Sequence, residues 1–562
     1  MSPAESIAMA EAPQQEGIKE TIESIVVALI LAFVFRAFIV EAFVIPTGSM
    51  APTLYGAHGT IICEDCGIEF AYGLKDLEDN RRSVQVLATS KAVCPNCNHV
   101  NSGLTISDER GNAEKGDRIL VLKWPLAIGG AGLDSARWDV TVFKDPADGD
   151  TNFIKRLVGL PNEVLMIVDG DVYTVPTKAL SSETLNDLEE LRHEKYEFRT
   201  GIRSGRLRPL PPAAMNELRK KMTIARKTPA AQDALWSVVY DNDHVPRTRG
   251  PDQPRWVAGR GPDSGWRVDG RVLRFDEAGA EDDGVVLAGK EIAASCAYNI
   301  HHAWAAPVSD LRTRFVFSPK NERADVCVRL EKLGRVFWAG VRADGAVTLR
   351  ESRDPPTGTT PPMASATIAP IRPGESVEVS FENVDYQLAL RVRDREVLAS
   401  SSDPQSPAYY APDLTALSRR RPERVEPPRI LGAGGAFELS HVIVERDEYY
   451  FLDPSVRAFA LRWTPASGWG SEASPILLRD DEFFMLGDNT SASKDSRLWD
   501  EVAPELAARG EAFQLGTVPR DQLIGRAFFV YWPSGHALPL LPQAGAWRWR
   551  VIPDVGRMRW IR

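Results

Sequence analysis

At 562 residues the chain is too long for one ordinary domain, and its length indicates about three or four structural units. Its hydrophobic fraction of 43% and charged fraction of 26% are those of a globular protein with material for a core. The formal net charge of −10 argues against a protein built to coat nucleic acid, and six cysteines are too few for a disulfide scaffold.

The chain begins with a polar stretch and an apolar run. Residues 1–20 are polar and acidic, which predicts a mobile N-terminal segment. The unbroken apolar run Ile25–Phe35 follows, and its extension to residues 21–43 reaches the roughly 17–25 residues that span a bilayer. Arg36 stands near one end of this stretch, where its side chain can reach the headgroups. We therefore predict a transmembrane anchor at 21–43. A cleaved secretory signal is the alternative, although no convincing small-residue cleavage site follows the run.

After the anchor the sequence is predicted to be mainly β. Short apolar runs alternate with Gly, Pro and Asp turns in residues 44–56, 112–175 and 455–562. We assign these three stretches to one discontinuous β-domain. Residues 57–111 interrupt the pattern and contain four of the cysteines.

Two further segments separate residues 112–175 from residues 455–562. Residues 176–235 carry Leu and Met at helical spacing between Pro-rich breaks, which predicts a helical linker. Residues 236–454 carry many short alternating strands such as 377–381, with a hairpin turn at 343–345. This pattern is typical of a β-sandwich, comparable to a lectin or laminin-G module. We expect it to fold by itself and to serve positioning or recognition rather than catalysis.

The cysteines form two CxxC pairs, Cys63/Cys66 and Cys94/Cys97. Four thiolates paired in this way suit tetrahedral zinc in a zinc-ribbon-like segment, and a site with four sulfur ligands is structural. Disulfides remain an alternative. His58 and His99 are spare ligand candidates, and the separate Cys296 and Cys327 are buried thiols or one disulfide.

Three separated segments suggest chemistry together: 44–54 with Ser49, 152–161 with Lys155, and the small polar segment 484–497. A serine hydroxyl is a weak nucleophile that needs a base. A lysine is a base only when it is neutral, and burial among apolar groups lowers its pKa from about 10.4. Ser49 and Lys155 are therefore a candidate nucleophile and general base.

In their order along the chain and in their residues, these segments resemble the sequence motifs of the type I signal peptidases. The resemblance makes Ser49 the nucleophile and Lys155 the general base, with the Thr47 hydroxyl and the Ser49 N–H as oxyanion hole. It makes Ser493 the residue that hydrogen-bonds and orients the lysine. It also makes Asp495 and Arg497 a supporting ion pair, and Asp488 is a further supporting residue. The sequence departs from the family at residues 490–492, 162 and 163, which we interpret as altered supporting positions.

The resemblance implies a fold and a cellular setting. The fold is a mainly β, discontinuous signal-peptidase-like catalytic domain on one transmembrane helix, with an inserted zinc ribbon and β-sandwich. The substrates are pre-proteins with small residues at the first and third positions before the cut. The enzyme sits as a single-pass protein in the cytoplasmic (inner) membrane, in contact with lipid, and its catalytic domain is on the non-cytoplasmic side. No organic cofactor and no nucleic acid are implied, and zinc is structural. Two alternatives stay open: an inactive membrane-tethered binding protein and a Ser–Lys self-cleaving regulator.

Overall fold

The structure is a computed structural model, and its described residues cover the larger part of the chain. They are residues 18–73, 91–102, 116–123, 136–202, 207–248, 255–259, 264–276, 284–289, 292–294, 298, 306–353, 361–418, 425–452, 468–533 and 553–561.

Strands dominate these residues, as the sequence predicts. In chain order the strands are β1 Val40–Val44, β2 His58–Ile62, β3 Glu69–Gly73, β4 Lys91–Val93, β5 Val100–Ser102, β6 Arg118–Leu122, β7 Val140–Lys144, β8 Asn152–Gly159, β9 Glu163–Val168, β10 Asp171–Pro176, β11 Thr223–Ile224, β12 Ser237–Asp241, β13 Trp256–Ala258, β14 Trp266–Asp269, β15 Val272–Phe275, β16 Val285–Leu287, β17 Leu311–Pro319, β18 Asp325–Lys332, β19 Arg335–Arg342, β20 Ala346–Glu351, β21 Ala364–Thr367, β22 Val377–Val384, β23 Gln387–Val392, β24 Arg395–Ala399, β25 Arg429–Ala433, β26 Phe437–Arg446, β27 Ile476–Leu478, β28 Glu482–Leu486, β29 Val518–Pro519, β30 Leu523–Trp532 and β31 Arg559–Trp560. The α-helices are α1 Ile18–Phe38, α2 Ser182–Thr200, α3 Pro212–Lys221, α4 Pro229–Leu235, α5 Leu414–Leu417 and α6 Pro504–Ala507.

A helix does occupy the place of the predicted anchor, but its bounds differ. Helix α1 ends at Phe38, and Val40–Val44 is strand β1, which pairs with β6 from Val40↔Leu122 to Val44↔Arg118. The prediction that one helix runs to residue 43 is therefore wrong, because residues 40–43 form backbone hydrogen bonds with β6 at the edge of the sheet. A search of the described residues finds no helix with the length and apolarity that crossing a membrane requires. The transmembrane span is thus not supported, and most of the predicted mobile segment 1–20 lies outside the described residues.

One antiparallel sheet joins three distant stretches of the chain. Its strand order is β1-β6-β30-β7-β8-β28-β29, with β31 on β30. Strand β8 lies between β7 and β28, so residues from 152–159 and 482–486 are neighbours although the sandwich separates them in sequence. The core under this sheet includes the buried Met50 and Leu54 from the loop after β1. Apart from β1, its strands come from the stretches 112–175 and 455–562 that the sequence assigns to one discontinuous β-domain, while β9, β10 and β27 of these stretches lie in a second sheet.

A smaller sheet and the helices pack beside it. Its order is β11-β10-β9-β27, and α2 and α3 bury Leu188, Leu191 and Leu218 against Met166 and Tyr173. Helix α2 begins where Ser181 Oγ accepts a 3.2 Å hydrogen bond from the Thr184 N–H, and it ends at the left-handed Gly201. The helices predicted from the Leu and Met spacing in 176–235 are present, and they lie on this sheet.

Strands β12 to β26 form a β-sandwich of an eight-stranded and a seven-stranded sheet. The orders are β14-β15-β26-β17-β22-β23-β24, with β12 on β26, and β13-β16-β25-β18-β19-β20-β21. Buried and part-exposed side chains alternate along β17 and β18, so one face of each sheet fills the shared core. The predicted hairpin turn at 343–345 connects β19 and β20, where Gly345 has a φ of 97° that suits glycine.

Buried ion pairs connect the sandwich to the smaller sheet. Lys332 of β18 donates to Asp310 and, over 3.2 Å, to Asp171 of β10. Lys227, before α4, donates to Asp385 and Asp447 over 2.7 Å each. Burial disfavours the charged form of both lysines, but the surrounding carboxylates outweigh it and raise each pKa well above its usual value. These buried ion pairs therefore hold the sandwich against the rest of the protein, and each buried charge is stabilised by its partner of opposite sign.

This interface predicts a large loss of stability on removal of one partner. Lys332→Met leaves Asp171 and Asp310 buried without their cation, and breaking such a pair typically costs about 3–5 kcal/mol. Denaturant unfolding should show a loss of that order. The matched control is Lys320→Met, since Lys320 is an exposed lysine of the same sandwich that pairs with Glu438 over 3.0 Å. A surface pair is worth about 0–1 kcal/mol. Equal losses in the two variants would contradict the prediction.

Candidate active site

Ser49 and Lys155 meet although 106 positions separate them in sequence. The Lys155 Nζ donates a 2.6 Å hydrogen bond to Ser49 Oγ, and the two residues are only 4% and 9% exposed. Lys155 stands in the middle of β8, where it pairs with Thr141 of β7, and its Nζ lies 5.3 Å from the centre of the Phe153 ring. Strand β8 therefore presents the lysine to the serine beside an aromatic ring.

The surroundings of Lys155 change its acidity. Burial lowers its pKa to about 8, and this desolvation outweighs the opposing pull of Asp495, Asp145 and Asp488. A large part of the lysine is therefore neutral near pH 8. A neutral amine beside a serine hydroxyl can accept its proton.

The loop that carries Ser49 is fixed from two sides. The Ala51 N–H donates to the Gly48 carbonyl over 3.0 Å, and the Leu54 N–H donates to the Met50 carbonyl over 2.8 Å. Asn489, which follows β28, donates from Nδ2 to the Gly48 carbonyl over 2.9 Å and from its N–H to the Ser49 carbonyl over 3.1 Å. The sequence places Asn489 in a motif but gives it no role. Its position two residues after Gly487 is the feature of the sequence that could have indicated this contact.

Two buried arginine–carboxylate pairs stand beside the lysine. Arg156, the next residue of β8, makes a two-point pair with Asp488 over 2.7 and 2.6 Å, and both side chains are inaccessible to solvent. Arg497 pairs with Asp495 over 2.8 and 2.7 Å, and Asp495 also accepts a 2.9 Å bond from the Gly487 N–H. The ion pair of Asp495 and Arg497 implied by the resemblance is thus present. Sequence reasoning missed Arg156; a second cation inside an apolar strand is the signal that could have found it.

Ser493 and Thr47 occupy the same neighbourhood. The Ser493 Oγ is buried and has no hydrogen-bond partner among the described residues, so the bond to Lys155 that the resemblance implies is not formed in this structure. A Cβ on Gly487 would lie 2.2 Å from Ser493 Oγ and 2.6 Å from the Ser49 carbonyl oxygen, so Ser493 stands close to the nucleophile loop. Thr47 is exposed at the start of that loop.

The two cysteine pairs come together at the ends of two hairpins, β2-β3 and β4-β5. Cys63, Cys66, Cys94 and Cys97 are buried free thiols whose sulfur atoms all lie within 4.8 Å of one another. The pairs Cys63–Cys97 and Cys66–Cys94 are 3.6 Å apart, too far for a disulfide bond of about 2.05 Å. Tetrahedral zinc with bonds of about 2.3 Å places its sulfur ligands about 3.8 Å apart. The four cysteines could therefore hold a metal ion, and the disulfide alternative is wrong for them.

The other candidate ligands do not join this group. Among the described residues only the four cysteines contribute to the sulfur cluster; His58 and His99 are not members of it. Cys327 is a free thiol whose pKa is raised by burial. Cys296 lies outside the described residues.

Comparison with known proteins adds three sequence relatives. Signal peptidase I of Pseudomonas fluorescens is 27% identical over 217 residues, which are 37% of this chain and 52% of that protein. Signal peptidase I of Buchnera aphidicola is 27% identical over 178 residues, 32% of this chain and 38% of that protein. A probable signal peptidase I-2 of Synechocystis is 37% identical over 62 residues, 11% of this chain and 21% of that protein. The chain thus spans about half or less of the length of these curated relatives.

Solved structures share a weaker likeness. A carbohydrate-binding module from Bacillus subtilis is 12% identical with a TM-score of 0.21, covering 34% of this chain and 95% of that one. A galectin from Caenorhabditis elegans is 15% identical with a TM-score of 0.16, covering 25% and 82%. Scores this low carry no argument about the sandwich or its ligands.

A family model described as signal peptidase, peptidase S26, matches residues 18–78, 104–217 and 459–532. The matched stretches contain Ser49, Lys155 and the segment from Asp488 to Arg497. The unmatched residues between them include the second cysteine pair and every strand of the β-sandwich. The matched residues are less than half of the chain, and they confirm the resemblance to the type I signal peptidases that the sequence motifs suggest.

Proposed function

We propose that this protein is a serine endopeptidase, a hydrolase that removes signal peptides from pre-proteins by a Ser49–Lys155 dyad. The observation that carries the proposal is the buried 2.6 Å contact between Lys155 Nζ and Ser49 Oγ, together with the lowered pKa of the lysine. The match to the signal peptidase family model and the similarity to signal peptidase I proteins support the choice of substrate. The intact dyad also counts against the alternative of an inactive binding protein.

The reaction follows from these two groups. Neutral Lys155 takes the Ser49 proton as Oγ bonds to the scissile carbonyl carbon, whose oxygen becomes negative. The protonated lysine then gives its proton to the leaving amine as the peptide bond breaks, which leaves an ester on Ser49. Lys155 next takes a proton from water, whose oxygen attacks the ester, and it returns that proton to Ser49 as the acid is released. The Ser49 N–H and the Thr47 hydroxyl are our proposed donors to the oxyanion.

The zinc-ribbon-like segment has a structural task in this proposal. Cys63, Cys66, Cys94 and Cys97 would hold the zinc ion, and four sulfur ligands would leave it no open position for substrate or water. Its effect is to tie hairpin β2-β3, which directly follows the nucleophile loop, to hairpin β4-β5.

Membrane association is proposed through α1. Consecutive large apolar side chains of this helix are exposed, for example Ile25, Val26 and Val27 at 54%, 47% and 55%. Successive helix positions point about 100° apart, so apolar surface faces all directions. Lipid is the partner that covers such a surface, and a membrane position also suits substrates with apolar signal segments. We propose that the catalytic domain lies on the non-cytoplasmic side of the inner membrane.

The dyad predicts the effect of two substitutions. Ser49→Ala and Lys155→Met should each abolish cleavage of a short signal-peptide substrate, because one removes the nucleophile and the other the base. Lys155→Met should also raise the stability at pH 7. Wild type buries a lysine whose folded pKa of about 8 lies below the unfolded value of 10.5, so protonation favours unfolding. Product formation is followed by mass spectrometry and stability by denaturant unfolding. Lys320→Met serves as the surface control. Substantial cleavage by either dyad variant would refute the dyad.

The rate should depend on pH in one direction. Lys155 acts as a base only when it is neutral, so kcat/KM should rise through pH 8 and fall about tenfold for each pH unit below it. Initial rates between pH 5 and pH 9 on a substrate without titrating groups check this. A flat profile would remove Lys155 from the role of base.

The metal proposal predicts one zinc ion per chain by elemental analysis of the purified protein. Cys63→Ser combined with Cys94→Ser should remove it, because half of the ligands are lost. Cys327→Ser is the matched control and should retain the metal, since Cys327 lies in the sandwich strand β18. Metal-free wild type, or metal retained in the double variant, would contradict the assignment.

A further inference from the structure

Tyr298 belongs to the sandwich insert but lies against the nucleophile loop. It comes between β16 and β17 in sequence and is 7% exposed. A Cβ built on Gly48 would lie only 1.9 Å from the ring atom Cε1 of Tyr298. The ring therefore packs directly on the backbone of the residue that precedes Ser49. The Tyr298 hydroxyl donates a 2.7 Å hydrogen bond to the Ala57 carbonyl at the other end of the loop.

The same residue contacts the zinc-ribbon-like segment. The Gly73 N–H, at the end of β3, donates a 2.9 Å bond to the Tyr298 carbonyl, and a Cβ on Gly73 would lie 2.5 Å from Tyr298 Cε1. The Tyr298 ring stacks on Tyr55, with centroids 5.8 Å apart and planes 16° apart. Tyr298 thus fits between two glycines that leave room for its ring, one before the nucleophile and one in the first hairpin.

This placement completes the support of the nucleophile. On one side Asn489 Nδ2 holds the Gly48 carbonyl over 2.9 Å, and beside it Tyr298 covers the Cα of Gly48. The proton transfer requires Ser49 Oγ to stay at its 2.6 Å distance from Lys155 Nζ. A shift of about 1 Å in such a geometry can cost about a hundredfold in rate.

We propose that Tyr298 is a positioning residue of the active site, by which the sandwich insert fixes the nucleophile loop for the Ser49–Lys155 reaction. This inference rests on the proposed function. It also makes the sequence-based expectation of a positioning role for the insert specific, because an insert residue packs on the neighbour of Ser49.

Substitution at Tyr298 separates positioning from general packing. With a short signal-peptide substrate, Tyr298→Ala should lower kcat about 10- to 100-fold and change KM less than about threefold, because the substrate peptide still binds while the nucleophile is misplaced. The midpoint of the pH–rate profile should stay at the wild-type value, because Lys155 keeps its surroundings. Tyr298→Phe keeps the ring on Gly48 and loses only the bond to Ala57, so its kcat should fall less. Tyr409→Ala, at an exposed tyrosine of the same sandwich, is the matched control and should retain wild-type kcat.

A double-mutant cycle tests the contact itself. Gly48→Ala places its Cβ on the Tyr298 ring and should lower kcat strongly in the wild-type background. Gly48 is outside the left-handed region, so backbone strain does not explain such a loss. In the Tyr298→Ala background the same substitution should cost at least tenfold less, because the obstructing ring is gone.

The outcomes distinguish failure of the proposed function from failure of the positioning role of Tyr298. Wild type without activity on the peptide would overturn the proposed function. Active wild type with an unaffected, folded Tyr298→Ala variant, or with additive effects in the cycle, would overturn only the role of Tyr298. Circular dichroism and zinc content establish that each variant is folded. Should Tyr298→Ala not fold, Tyr298→Leu takes its place in the same cycle.

Discussion

The ammonium group of Lys155 loses its hydration beside Ser49, and the proposed chemistry of this protein depends on that desolvation. The surrounding carboxylates of Asp488 and Asp495 would restore the charge if they were available to pair with it. Both are instead occupied at two points by Arg156 and Arg497. Desolvation of Lys155 therefore outweighs the attraction of these carboxylates and of Asp145, and its pKa of about 8 is low enough for a base. The two arginines thus matter to the proposed reaction, in which they have no direct part.

The wider architecture brings this arrangement together from distant segments. Strand β8 carries Lys155 and Arg156, β28 leads into the segment with Asp488 and Asn489, and the loop after β1 carries the nucleophile. Between β8 and β28 the chain makes the whole sandwich, yet the sandwich is not a loosely attached module. Lys332 and Lys227 bind it through buried carboxylates, and Tyr298 extends from it to the nucleophile loop. The insert, the ribbon hairpins and the catalytic sheet therefore share one set of contacts around Ser49.

Much of this follows from sequence because the relevant signals are local. The alternation of apolar and polar side chains predicts the sandwich strands, and the CxxC spacing predicts the cysteine cluster. The residues of the motifs predict that Ser49 and Lys155 lie together. Other features depend on tertiary contacts that no local pattern encodes. Arg156 and Asn489 acquire roles only when β8 and β28 become neighbours, and Tyr298 only when the insert folds back. The sequence places the end of α1 too late because residues 40–43, which include the apolar Val40 and Phe43, suit a helix and an edge strand equally well. The Ser493 bond to Lys155 came from the resemblance alone, and the Ser493 hydroxyl is unpartnered among the described residues.

The central claim is that burial keeps Lys155 partly neutral at the pH of the reaction, and a direct titration of its side chain tests this. The ¹³Cε resonance of Lys155 can be assigned by its absence from Lys155→Met and followed from pH 6 to pH 11 in protein with labelled lysine. The account predicts a midpoint near 8, well below the model-peptide value of 10.5. A midpoint at or above 10.5 would show that Lys155 remains an ammonium ion beside Ser49, and it would contradict the account.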